Sequence, residues 1–209
     1  MRTVETVVYQ YDELSPEAQE NARDWFLKDF EFETDFVLED AARVAALLGV
    51  EFDTHTVDLY GGGTRQKPNI YWSGFSSQGD GACFEGSYAY APGSVKAVKA
   101  YAPEDKELHG IAQQLQEAQK RQFYSLVAQC KHRGHYYHSG CMDVVVEDSR
   151  EIDVSAEAED AVTEALRSFA DWVYDQLQAE YEYQTSDEAV EESIKANEYE
   201  FTADGGIAW

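Results

Sequence analysis

The sequence predicts an α+β fold: an antiparallel sheet of about four to five strands, with long amphipathic helices packed on it, in a single domain spanning residues 1–209. Three observations carry this. Strand-like alternation and helix-like periodicity follow one another in the order β, αα, βββ, α, β, α. The strand segments lie too close together to be joined by crossover helices, so they must pair antiparallel. Hydrophobic residues make up 44% of the chain and aromatic residues 13%, enough to build a core.

Residues 3–10 (TVETVVYQ) are β-branched and read as a strand. Ser15 can cap a helix whose first position is Pro16, and Ala18, Ala22, Trp25 and Phe26 share one of its faces. A second helix over 34–48 carries the stripe Val37, Ala41, Val44 and Leu48, with Gly49 as its C-terminal cap. Residues 50–60 alternate as a strand and end at Gly61–Gly63. Asn69–Phe75 and Ala82–Tyr90 read as strands on either side of a turn at Asp80-Gly81. From Pro103 the helical spacing of Leu108, Ile111, Leu115 and Ala118 runs on to about Cys130, and Tyr136–Val146 reads as a strand. After Ser155, the positions Val162, Leu166, Phe169, Val173 and Leu177 define a long amphipathic helix. Thr185 and Glu188 fit a capping box for a short last helix.

Charge narrows the function classes. The chain has 16 Lys and Arg against 41 Asp and Glu, net −25. That field repels bare DNA and anionic membrane and attracts basic protein surfaces. The acid is uneven: residues 1–60 hold 4 basic and 15 acidic side chains, residues 61–146 hold 9 and 7, and residues 147–209 hold 3 and 19. No apolar stretch can span a bilayer, and MRTVETVVYQ lacks the long apolar core of a signal peptide. Cys83, Cys130 and Cys141 form no disulfide framework. The expected compartment is the cytoplasm.

Four segments, SGFSSQGDGACFEG (73–86), YEYQTSDEAVEESIKANEYEFTADG (181–205), YDELSPEAQENARDWF (11–26) and GHYYHSGCM (134–142), resemble a family of small acidic proteins encoded by phages, prophages and plasmids. Members of that family are often described as the antitoxin of a toxin–antitoxin stability system. The resemblance extends to type V anti-CRISPR proteins, which lower production of the CRISPR nuclease by recognising it as it is translated. It implies a counter-defence role played by binding, in the host cytoplasm, and it brings no catalytic residues with it.

Two segments are candidate sites. Around the glycine-rich stretch 74–81, Trp72, Phe75, Ser77, Gln78 and Asp80 can line a groove for a partner segment; the same glycines equally suit a tight hairpin in which Asp80 bonds the turn. No Lys-Ser/Thr follows the last glycine, so it is not a phosphate-binding P-loop. Tyr136, Tyr137 and His138 complete the expected partner-binding set. They lie within a Cys130–Cys141 stretch holding His132, His135 and His138. A strand over 136–146 would send His138 and His135 to opposite faces, which speaks against a zinc site, so no metal and no cofactor are expected. The competing reading of this stretch is a helix end followed by a core strand. Cys83 with His138 is a conceivable thiol pair, set against an ordinary buried cysteine. Trp172, Tyr174, Tyr181 and Tyr183 do not share one stripe of the long helix; they form either a wide buried face or an aromatic–carboxylate surface.

The expectation is therefore a non-enzymatic, phage-type, anti-CRISPR-like inhibitor. It would bind a host or defence-system protein with a basic surface, or an exposed or nascent peptide segment. The alternatives are an antitoxin neutralising a basic toxin, an RNA- or ribosome-associated regulator drawing on Arg65, Lys67, Lys131 and Arg133, and a metal-dependent hydrolase.

Overall fold

A computed structural model describes residues 7–208. In chain order the elements of its first half are β1 (Tyr9–Gln10), α1 (Pro16–Lys28), α2 (Asp35–Leu48), β2 (Val50–Phe52), β3 (Thr54–Asp58), β4 (Thr64–Pro68), β5 (Ile70–Trp72), β6 (Ala82–Phe84) and β7 (Gly86–Ala89). There follow α3 (Ser94–Tyr101), α4 (Lys106–Arg121), β8 (Leu126–His132), β9 (Met142–Asp148), α5 (Ala156–Gln184), α6 (Asp187–Ala196) and β10 (Glu200–Phe201). The fold is α+β with antiparallel sheets, as the sequence predicts. The chain divides into two compact units, Thr34–Gln178 and the two chain ends through Glu33 and from Ala179.

The larger unit is built on an antiparallel four-stranded sheet in the order β2-β7-β8-β9. The row Val50, Tyr88, Ala128 and Val146 is in register across it and buried. Neighbouring positions such as Gln129, Val145 and Glu147 are exposed, so the sheet has one core face and one solvent face. Stripes from α2 (Val37, Ala41, Val44, Leu48), α4 (Leu108, Ile111, Leu115) and α5 (Val162, Leu166, Phe169, Val173) supply the buried apolar side chains. Phe52, Phe84 and Phe169 meet with ring centroids 5.1 to 6.1 Å apart, and full burial of one such ring stabilises by roughly 1.5–3 kcal/mol. Gly49 ends α2 at φ 89°, and a Cβ there would meet the Ala89 carbonyl at 2.1 Å, so only glycine serves.

Several expected strands are broken, for one reason. The strand expected over 50–60 divides at Asp53 into β2 and β3, and that over 82–90 divides at Glu85 into β6 and β7. At these points Asp53 N–H donates to the Glu85 carbonyl, Glu85 N–H to the Asn69 carbonyl and Asn69 N–H to the Asp53 carbonyl, at 2.7–2.9 Å. This ring of three bonds lets the chain leave the main sheet for the β3–β4 and β5–β6 hairpins. Strand β4 has no counterpart among the sequence expectations, and neither does helix α3.

The helix expected from Pro103 to Cys130 stops at Arg121. Phe123 and Tyr124 take left-handed φ values of 53° and 62°, and the Tyr124 N–H returns to the Gln119 carbonyl at 2.7 Å. Beyond them Leu126, Ala128 and Cys130 alternate as strand β8, a period of two that helical counting overran. The strand expected over 136–146 begins at Met142, because the β8–β9 register pairs His132 with Met142 and leaves 133–141 as the connecting loop.

In the smaller unit β1 pairs with β10, Tyr9 opposite Phe201. Of the strand expected over 3–10, residues 3–6 lie outside the described residues, and pairing is confined to Tyr9 and Gln10. The Ser15 hydroxyl caps α1 as expected, accepting from Ala18 N–H at 3.3 Å. The cap of α6 is Ser186 rather than Thr185, accepting from Ala189 N–H at 3.3 Å. Tyr11, Leu14, Ala18, Ala22, Val190, Ile194 and Phe201 form its core.

Candidate binding face formed by two hairpin loops

Residues 73–81 connect β5 to β6, whose register pairs Trp72 with Ala82. The Asp80 carboxylate holds this loop by accepting from Ser76 N–H at 3.0 Å and Ser77 N–H at 2.6 Å. Those backbone donors, Ser77 first, hold its pKa below the usual carboxylate range. Ser73 N–H closes the loop onto the Gly81 carbonyl at 3.2 Å. On its other side the loop is anchored to α5: Trp72 stacks on Phe75, Phe75 meets Tyr174 with centroids 5.5 Å apart, and the Tyr174 hydroxyl donates to the Gly74 carbonyl at 2.8 Å.

Residues 133–141 form the second loop. Arg133 N–H donates to the Cys141 carbonyl and Cys141 N–H to the His138 carbonyl, both at 2.8 Å. His132 Nε2 lies 3.1 Å from the Tyr136 carbonyl, and His132, Tyr71 and Tyr137 group their rings within 5.1–5.8 Å of one another.

The two loops touch. A Cβ on Gly81 would fall 2.6 Å from His138 Cβ and 2.9 Å from its Cα, and the Tyr136 ring lies beside Gly79. All eight expected contact residues are thus drawn into one region, with different roles. Trp72 and Phe75 are half-buried supports, Asp80 is the internal clasp, Ser77 contributes its N–H to that clasp, and His138 is the packing contact. Gln78 is exposed and makes no hydrogen bond among the described residues. Tyr136 is 58% exposed and Tyr137 37%. The contributions of Tyr71, His132 and Tyr174 were not anticipated. For Tyr174 the signal was its position off the buried stripe of α5.

The strand alternation invoked against zinc does not apply, because 133–141 is a loop. Instead His138 Nε2 stands 3.4 Å from Cys141 Sγ, and among the described residues no group of three or more His, Cys, Asp or Glu side chains is arranged to hold a metal. Cys83 is buried beneath the site, not paired with His138, and burial first, then Cys141, pushes its thiol up to about 12. Burial does the same to Cys130, also to about 12, so neither is a ready nucleophile near neutral pH.

Four of the nine cations of the near-neutral middle third, those set out for the RNA alternative, are paired within the larger unit. Arg65 and Lys67 both reach Asp35, at 2.7 and 3.0 Å; Lys131 reaches Asp53 at 2.5 Å; Arg133 reaches Asp143 at 3.0 Å. The two Asp35 hydrogen bonds, Arg65's first, lower that carboxyl's pKa. No helix among the described residues is long and apolar enough to cross a membrane. No curated protein and no solved structure matches the chain. A family model described as a domain of unknown function, DUF8835, matches residues 34–187, a span that contains both loops, and the chain belongs to that family.

Proposed function

We propose that this protein is a non-catalytic, phage-type counter-defence inhibitor that binds a host or defence-system protein, through an exposed or nascent peptide segment, at the face made by loops 73–81 and 133–141. The observation that carries the binding face is the exposure of Tyr136 and Tyr137 beside an unbonded Gln78, on loops held from both sides by backbone hydrogen bonds. Rigid aromatics with adaptable polar neighbours are what binding hot spots use, because little side-chain freedom is lost on association. The counter-defence setting rests on the sequence resemblance. A protein partner is favoured over RNA because the chain is net −25 and Arg65, Lys67, Lys131 and Arg133 each already face a carboxylate.

The test is phage plating on a host carrying a type V CRISPR system, with the nuclease followed by immunoblot. Wild-type protein should raise plating and lower nuclease. Gln78→Ala with Tyr136→Ala should lose at least about tenfold of that effect at unchanged thermal stability. Glu164→Lys with Asp171→Lys, exposed on α5, should retain it. The opposite pattern, with helix reversals inactive and loop variants active, refutes the two-loop face and makes the acidic helix the working surface.

A further inference from the structure

The smaller unit carries a cleft of about 720 Å³, which shares no lining residue with the two-loop face. Its walls are aromatic: Trp25, Phe26 and Phe30 from α1 and the segment after it, Tyr183 from the end of α5, and Tyr199 after α6. These rings are held in place. Trp25 meets Tyr199 edge-on at 5.2 Å and Phe201 at 5.8 Å, and Phe26 lies 6.5 Å from Tyr199. Gln184 fixes the opposite wall, donating to the Glu33 carbonyl at 2.8 Å and accepting from the Glu33 N–H at 3.2 Å.

The polar lining is acidic. Asp29, Glu31, Glu33 and Glu192 border the cleft, and among the described residues no Lys, Arg or His does. Among the described residues none of these four carboxylates has an ion-pair partner; Arg23 of α1 and Lys195 of α6 are engaged elsewhere with Asp187, Glu191 and Asp12, and Lys28, the other cation of α1, does not line the cleft. The stretches 1–33 and 179–209 together hold 4 Lys and Arg against 18 Asp and Glu, so the surrounding field reinforces the local charge.

Aromatic faces with unpaired carboxylates at their rim are the chemistry of cation recognition: the ring quadrupole attracts the charge and the carboxylates accept its hydrogen bonds. We propose that this cleft binds an arginine-containing basic segment of a partner protein, seating a guanidinium between the rings of Tyr183 and Trp25 and the carboxylates of Glu31 and Glu192. Arginine fits better than lysine because its plane stacks on a ring while its N–H fork meets carboxylates. A segment fits better than a single small cation on two grounds. The cleft lies in the size range that holds drug-sized ligands, roughly 300–1,000 Å³. Four carboxylates also call for more than one positive charge. Nucleic acid is disfavoured by the same sign of charge.

The experiment measures, by fluorescence anisotropy in about 150 mM salt, binding of a short labelled peptide of alternating Arg and Ala to the full chain. The same peptide with citrulline, neutral and of the same shape, is the control. The arginine peptide should bind at least about tenfold more tightly than the citrulline one. Glu31→Gln with Glu192→Gln should weaken binding at least about tenfold, whereas Glu20→Gln with Asp24→Asn, two exposed charges removed outside the cleft, should change it less than about threefold. Tyr183, 61% exposed and outside the core cluster, should lose about fivefold or more as Tyr183→Ala. Each variant is first shown to melt like wild type, and the two glutamine changes keep the test if Tyr183→Ala does not fold. No arginine-dependent binding, an equal loss in the outside pair, or an unaffected Tyr183→Ala would each overturn the proposal, the second by assigning the attraction to the general field. The peptide assay does not involve the two-loop face, so its failure leaves the proposed function standing, and the reverse also holds.

Discussion

Replacing Gly81 with alanine should force the two hairpin loops apart. Gly81 does not occupy the left-handed region, so the change adds no backbone strain; the whole effect comes from one methyl group. That carbon would fall 2.6 Å from His138 Cβ, 2.9 Å from His138 Cα and 3.2 Å from the Tyr137 carbonyl oxygen. Carbon atoms prefer about 3.5–4.0 Å, so the loops must separate by about 1 Å. His138 Cα is backbone and cannot swing away. Overpacking of this kind costs about 1–3 kcal/mol. Taking ~2 kcal/mol, and ~2–4 °C per kcal/mol for a domain of this size, the melting temperature should fall by roughly 4–8 °C. The displacement also moves Tyr136 and Tyr137 relative to Gln78, so counter-defence activity should fall by more than the stability loss explains. Gly110→Ala is the internal control: it lies on the exposed side of α4, nothing stands within 4 Å of its added carbon, and it should stabilise by about 0.5–1 kcal/mol. Thermal and denaturant melts of the two variants decide the matter. If Gly81→Ala melts with wild type, the loops are not in contact in solution and the shared face is wrong.

Two further outcomes test the fold and its electrostatics. Gln119 is fully buried at the end of α4; its amide donates to the Leu126 carbonyl at 2.7 Å and accepts from the Leu126 N–H at 3.1 Å, just past the last β7–β8 pair, Ala89 with Val127. Gln119→Leu would leave both backbone groups unpaired and should destabilise by roughly 3–5 kcal/mol in denaturant titrations; a loss below about 1 kcal/mol would mean that water or a strand shift replaces the amide. In pH titrations of stability, Asp148 (bonded first by Arg150, then by Ser125) and Asp35 have lowered pKa values, so their stabilisation is complete above about pH 4 and is lost as pH falls through their folded values. Glu107 and Asp175 are raised, first by burial and then by neighbouring aspartates, so they add stability as pH falls from neutral through their raised values. Stability should therefore peak at mildly acid pH and collapse below about 4; a maximum at neutral pH or above would contradict these assignments.

The legible parts of the site were those with local chemistry. Asp80-Gly81 announced a turn, and Asp80 does bond that turn. That Tyr136–His138 pack against Gly79 and Gly81 came from the tertiary structure. The strand expected over 136–146 misread this stretch: 133–141 is a loop, and Tyr136-Tyr137 imitates strand alternation without belonging to a strand. The cleft of the smaller unit was not legible, because Trp25 and Tyr183 lie far apart in sequence and no local pattern links them.

The sequence by itself determined the helical stripes, the Ser15 and Gly49 caps, the α+β class and the polarity of the field, because each depends on neighbours within a turn or on simple totals of charge. Tertiary structure decided the rest. It decided where strands break, since Asp53, Asn69 and Glu85 exchange partners across distant segments. It decided that α4 stops at Arg121, where a buried Gln119 finds the open edge of β8. It also decided that Arg65, Lys67, Lys131 and Arg133 face carboxylates. Pairings across tens of residues depend on which surfaces the packed core brings within hydrogen-bonding distance, and that distance is not written in the spacing of the residues along the chain.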